Sequence, residues 1–161
     1  MHINITLPPD LSNRKSITAK EYNDLLAGKH LEKKFHSPFP QGTGGKRADL
    51  DGQFFRSKME ANMARYYNYL GIKWEYEPCE FKFPIERGIR FYKPDFYLPD
   101  TDTYIECKGW YDPKSKTRMK RMARYHPDIK VQIIQWHEYQ EIEKSVAMLI
   151  EGWEYPKRED D

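Results

Sequence analysis

The sequence predicts an α/β protein of the mixed-sheet (α+β) kind, in the order α-β-β-β-α-β-α. A three-stranded antiparallel meander is extended by one parallel strand and flanked by helices. Three observations predict this. Ser57 and Glu60 stand at capping-box spacing, and Gly71 closes the helix they open. Three runs rich in aromatic and β-branched residues follow, 74–83, 92–98 and 103–108, separated by turn formers. Finally, strand, helix and strand follow one another between Thr103 and Trp136, within about thirty residues, as in a βαβ unit with parallel strands.

Each element has its own warrant. Residues 1–16 have no clear period and read as an arm. Thr18 and Glu21 form a first capping box, Tyr22, Leu25 and Leu26 follow at helical intervals, and Gly28 ends that short helix. Residues 29–47 are basic and rich in turn formers, which suits either a flexible linker or a flap that orders on nucleic acid. In the helix opened by Ser57, the residues Phe55, Met59, Met63, Tyr66 and Leu70 recur at three- and four-residue steps and make one buried stripe. A strand over 74–83 comes next, then a turn at 84–88.

Asp112 followed by Pro113 begins a helix that Pro127 stops after His126, with Met119, Met122, Ala123 and His126 on its inner side. Residues 129–136 read as a strand buried on both faces. The last helix, 137–150, turns Tyr139, Ile142, Val146, Leu149 and Ile150 inward, and Trp153 packs beyond its end. The domain reading is an arm and basic linker over 1–50, a main domain over 51–153, and an acidic tail over 154–161.

Composition narrows the class. With 161 residues the chain is long enough for one domain with a sizeable core. No apolar run approaches the ~20 residues that span a membrane, and Met1–Asp10 lacks the pattern of a signal peptide. The two cysteines, Cys79 and Cys107, are too few for a disulfide framework, so a reduced, cytoplasmic protein is expected. Net charge is only +2, but its placement is uneven. Residues 107–130 hold eight Lys and Arg against two Asp, whereas residues 131–161 hold three against eight Asp and Glu. The basic segment is the footprint expected of a phosphate-backbone binder.

The chemistry centres on the hairpin 92–108. If Pro99-Asp100-Thr101-Asp102 is its loop, Leu98 pairs with Thr103 and Asp95 faces Glu106, whereas a bulge at Pro94, which lacks a ladder donor, would shift that pairing by one residue and turn Asp95 away. Directly opposed residues have Cβ atoms about 5 Å apart, so two bare carboxylates there repel unless a cation bridges them. Lys108 shares the face of Glu106 by strand alternation. A metal site is therefore expected, against the plainer readings of a turn residue at Asp95 and a structural ion pair between Glu106 and Lys108.

Pro94-Asp95 and Glu106-Cys107-Lys108 resemble the signature of the PD-(D/E)xK nuclease superfamily, and the element order resembles its restriction-endonuclease-like core. Within the superfamily the chain resembles phage endonuclease I-type enzymes, which resolve branched DNA. The likeness runs from Trp74-Glu75-Tyr76-Glu77 through Lys93-Pro94-Asp95-Phe96 and Glu106-Cys107-Lys108-Gly109 to His126-Pro127-Asp128-Ile129. A second likeness, over 51–60, is to small phage endonucleases. The resemblance implies that Asp95, Glu106 and the Cys107 carbonyl hold Mg²⁺, with Mn²⁺ able to substitute, and that Lys108 orients the attacking water or neutralises the phosphate. Glu60 stands where the superfamily often places a further acidic ligand, and equally where a capping box needs it. Glu77 is a further acidic candidate.

Lys114, Lys116, Arg118, Lys120, Arg121 and Arg124 would lie along DNA, and Trp110 could stack on a distorted base. His126 and His137 read as helix-end residues. The expected function is a Mg²⁺-dependent endodeoxyribonuclease leaving 5′-phosphate and 3′-hydroxyl ends, with branched DNA as the substrate the resemblance suggests. Junction cutting needs two active sites and hence a homodimer. The alternatives are a catalytically silent DNA-binding module on the same fold and an RNA-directed nuclease, for which no RNA-specific motif is seen.

Overall fold

The computed structural model describes residues 43–155. The short helix after Thr18, most of the basic linker and the tail from 156 onward lie outside the described residues. The elements are β1 (Gly45–Arg47), β2 (Gln53–Phe55), α1 (Lys58–Leu70), β3 (Glu75–Tyr76), β4 (Phe81–Lys82), β5 (Phe91–Tyr92), β6 (Phe96–Leu98), β7 (Thr103–Lys108), α2 (Pro113–Tyr125), β8 (Val131–Gln135) and α3 (Trp136–Val146). A mixed sheet of order β3-β6-β7-β8 forms the centre, with β3, β6 and β7 antiparallel and β8 parallel to β7. This is the α/β architecture the sequence predicts. No helix among the described residues is long and apolar enough to cross a membrane.

Local chemistry accounts for the helix ends. Ser57 caps α1 by accepting from the Glu60 N–H, and Gly71 ends it at φ 69°, a conformation that costs glycine little. Asp112 caps α2 by accepting from the Ser115 N–H, with Pro113 next. α2 ends at Tyr125, one residue before the expected His126.

Two of the expected strands are each divided in two. The run 74–83 breaks after Tyr76, where Glu77 takes a φ of 46° and Pro78 lacks a ladder donor. The run 92–98 breaks around Pro94 in the same way. The outer pieces, β4 and β5, leave the central sheet and pair with each other, Phe81 opposite Tyr92 and Lys82 opposite Phe91. This ribbon lies against α2, where His126 Nε2 is 3.0 Å from the Lys82 carbonyl and the Arg121 guanidinium donates to the Ile89 carbonyl.

The strand expected over 129–136 shortens to β8. The last helix also stops early: a 3₁₀ turn over Ala147–Leu149 follows α3, and its tighter winding turns Ala147 inward and leaves Leu149 exposed, contrary to the 137–150 helix expectation.

Two cores result, one on each side of the sheet. Phe55, Met63, Tyr66, Tyr67, Phe96, Ile105, Ile134, Tyr139 and Trp153 form the larger. Phe83, Tyr92, Met119, Met122, Val131 and Ile133 form the smaller, beneath α2 and the ribbon. β1 pairs with β2, and Leu50 joins the larger core, so part of the stretch assigned to the arm packs with the main domain. Glu154 is likewise tied in: its N–H donates to Asn62 Oδ1, and its carboxylate accepts from Arg47 and Arg65.

Candidate active site

The predicted loop holds: Pro99–Thr101 forms a 3₁₀ turn, and Phe96, Tyr97 and Leu98 pair with Ile105, Tyr104 and Thr103. Asp95 departs from the simple pairing. Its N–H donates to the Ile105 carbonyl at 3.0 Å, so Asp95 and Phe96 both lie opposite Ile105, and the ladder bulges beside Pro94. The direct face-to-face placement with Glu106 is thereby replaced. The Asp95 carboxylate instead accepts from the Cys107 N–H, Oδ2 to N 2.7 Å, while its own carbonyl accepts from the Glu77 N–H at 2.9 Å. Oδ1 receives no hydrogen bond among the described residues.

Glu106 and Lys108 do share a face. Lys108 Nζ is 2.8 Å from Glu106 Oε1, and the Tyr92 hydroxyl donates to Oε2 at 3.1 Å. Asp95 and Glu106 are both buried, at 6% and 5% exposure. Burial and the neighbouring Glu106 and Glu60 charges push the Asp95 carboxyl well above the usual carboxylate range. For Lys108, burial works against the charge, but Glu106 and Asp95 outweigh it and raise the ammonium above the ordinary lysine value. Lys108 is therefore a cation at neutral pH. Burial, with Glu106 beside it, likewise raises the Tyr92 hydroxyl.

Glu60 makes the contacts of a helix cap. Its Oε1 accepts from the Ser57 hydroxyl at 2.8 Å, and its Oε2 from the Tyr76 hydroxyl at 2.6 Å and the Arg56 N–H at 3.0 Å. Its charge nonetheless reaches Asp95. Among the described residues, no three His, Cys, Asp or Glu side chains converge into a ready-made metal cage. The Glu77 carboxylate pairs with Arg56 and Lys93.

The basic helix divides. Lys114, Lys116, Lys120 and Arg124 are exposed, whereas Arg118 is half-buried and its charge acts on Tyr92, Lys108 and Asp112. Arg121 turns back to the ribbon. Trp110 lies just past β7, 46% exposed. Sequence reasoning missed Tyr76 and Tyr92 as carboxylate partners, because each reads as an ordinary strand former.

Comparison with known proteins bears on this arrangement. Residues 42–153 match the family model for phage endonuclease I. The chain belongs to the phage endonuclease I family. It is 29% identical over 83 residues to Endodeoxyribonuclease 1 of Enterobacteria phage T3, covering 52% of this chain and 54% of the relative. It is 29% identical over 80 residues to Endonuclease I of Escherichia phage T7, covering 50% and 53%. The chain thus spans about half the length of the curated relatives it matches. The family match begins at residue 42, ahead of β1, and so takes in the β1–β2 hairpin as well as the central sheet.

Proposed function

We propose that this protein is a Mg²⁺-dependent endodeoxyribonuclease that hydrolyses DNA phosphodiester bonds to 5′-phosphate and 3′-hydroxyl ends and favours branched DNA, acting there as a homodimer. The observation that carries this is the pair of buried carboxylates, Asp95 just before β6 and Glu106 on β7, with half-buried Lys108 beside Glu106, in a phage endonuclease I-family chain. The names of the T3 and T7 relatives support the DNA-endonuclease part of this reading.

A hard cation fits the donors. Mg²⁺ is commonly held by one or two carboxylates together with waters and substrate phosphate rather than by an all-protein cage. Two buried carboxylates, one of them with an oxygen that receives no hydrogen bond among the described residues, are such a pair. Asp95, Glu106 and the Cys107 carbonyl would hold the ion, which supplies polarisation of the phosphate and acidification of a water. Mn²⁺ would serve similarly.

The chain's own residues do the rest. Lys108, cationic and next to Glu106, neutralises charge that grows on the phosphate. The Cys107 N–H orients Asp95. Lys114, Lys116, Lys120 and Arg124 supply exposed charge for the DNA backbone, and Trp110 an exposed ring for a distorted base. Glu60 supports the start of α1 and adds negative potential at Asp95.

The test is cleavage of supercoiled, linear and four-way-junction DNA with Mg²⁺ or EDTA, by wild type and Asp95→Ala. Metal-dependent cutting by wild type alone is expected, fastest on the junction. Binding without cleavage would leave a silent DNA-binding module, and equal cutting of linear and branched DNA would remove the junction preference alone.

A further inference from the structure

Glu106 is held from two sides. Lys108 takes Oε1, and the Tyr92 hydroxyl donates to Oε2. Tyr92 belongs to β5, in the ribbon rather than the central sheet, and is 2% exposed. Its ring stacks on Phe81 with centroids 6.3 Å apart and packs in the smaller core with Met119, Met122 and Ile133. The hydroxyl is thus delivered by a ring that packing holds still. Asp95 follows three residues later, so one short segment supplies both a carboxylate and the hydroxyl that steadies the other carboxylate.

The terminal torsion of a glutamate is broad and roughly two-fold, so one partner on one oxygen leaves its carboxylate plane poorly defined. A second donor from a different element defines it. Should a cation draw Oε1 away from Lys108, Tyr92 would be the remaining hold.

We propose that Tyr92 is a positioning residue, whose hydroxyl fixes the Glu106 carboxylate in the orientation that receives the divalent cation. The proposal rests on the nuclease reading above. It gives the β4–β5 ribbon a role in the site, since packing of the ribbon on α2 sets where the hydroxyl lies.

Tyr92→Phe removes only the hydroxyl oxygen. The probe is Mn²⁺, titrated calorimetrically into the full chain without DNA, beside the thermal midpoint of the metal-free protein. Loss of a partner that orients a metal ligand typically costs about 10–100-fold in metal affinity. That loss is expected here at an unchanged midpoint, with the Mg²⁺ concentration for half-maximal cleavage rising in parallel. In Glu106→Asp, whose shorter side chain withdraws from the hydroxyl, adding Tyr92→Phe is expected to change Mn²⁺ affinity less than about twofold, as sites acting through one contact are non-additive. Equal Mn²⁺ affinity in wild type and Tyr92→Phe would overturn the proposal, as would a loss that only accompanies unfolding. Absence of Mn²⁺ binding and cleavage in the wild type would instead sink the nuclease reading itself.

Discussion

The Tyr76 hydroxyl donates to Glu60 Oε2 across 2.6 Å, joining the first strand of the central sheet to the first turn of α1. With the Ser57 hydroxyl and the Arg56 N–H on the same carboxylate, Glu60 closes a capping arrangement that also docks the helix on the sheet. Glu60→Gln keeps one carbonyl oxygen and the side-chain volume but loses the charged acceptor. A stability loss of about 1–2 kcal/mol is expected, measured by urea denaturation.

Asp95 presents the opposite balance. Its raised pKa means that the folded state disfavours its charge, first through burial and then through Glu106 and Glu60. The penalty is absent below the unfolded carboxyl value of about 4 and grows as pH rises towards the folded value. In EDTA, Asp95→Asn is expected to raise the melting temperature at pH 8, with a smaller gain at pH 5. Cleavage should fall at least about 100-fold, since the proposed metal ligand is lost.

Arg121 and Lys116 should separate under salt. Arg121 donates to the Ile89 carbonyl and packs close to Gly88, where a Cβ would come within 3.3 Å of an Arg121 nitrogen. Arg121→Ala is expected to cost about 1–3 kcal/mol of stability while the salt dependence of DNA binding stays as in wild type. Exposed Lys116→Ala should keep stability and reduce that salt slope by about one. Fluorescence anisotropy across a salt series reads both.

The polar cluster at the C-terminal end predicts an acid limb. Arg65, 6% exposed, donates to Asp49 and Glu154, and Arg47 also donates to Glu154. The hydrogen bond from Arg65 is the main reason the Asp49 carboxyl lies below its usual range. For Glu154, burial pushes the other way, and Arg47 and Arg65 outweigh it. This stabilisation is fully present above the unfolded carboxyl values of about 4 and is lost as pH falls through the lower folded values. Glu154→Gln should cost about 1–3 kcal/mol at pH 7 and flatten the decline of stability below pH 4, followed by circular dichroism.

The sequence by itself determined what short-range chemistry specifies. Ser57, Gly71, Asp112 and Pro113 bound their helices because caps act within one turn, and the 99–102 loop set the hairpin register by its length. The Glu106–Lys108 pair followed from strand alternation. The tertiary structure decided what depends on distant partners. Pro78 and Pro94 were legible as missing donors, but that the severed strand ends would pair as a separate ribbon depended on a surface beneath α2 to receive them. The bulge at Asp95 beside Pro94 was legible in the same way. The inward turn of Arg121 and the hold of Tyr92 on Glu106 follow instead from that packing. Both are long-range contacts whose partners no local spacing names, and the second steadies a carboxylate of the site.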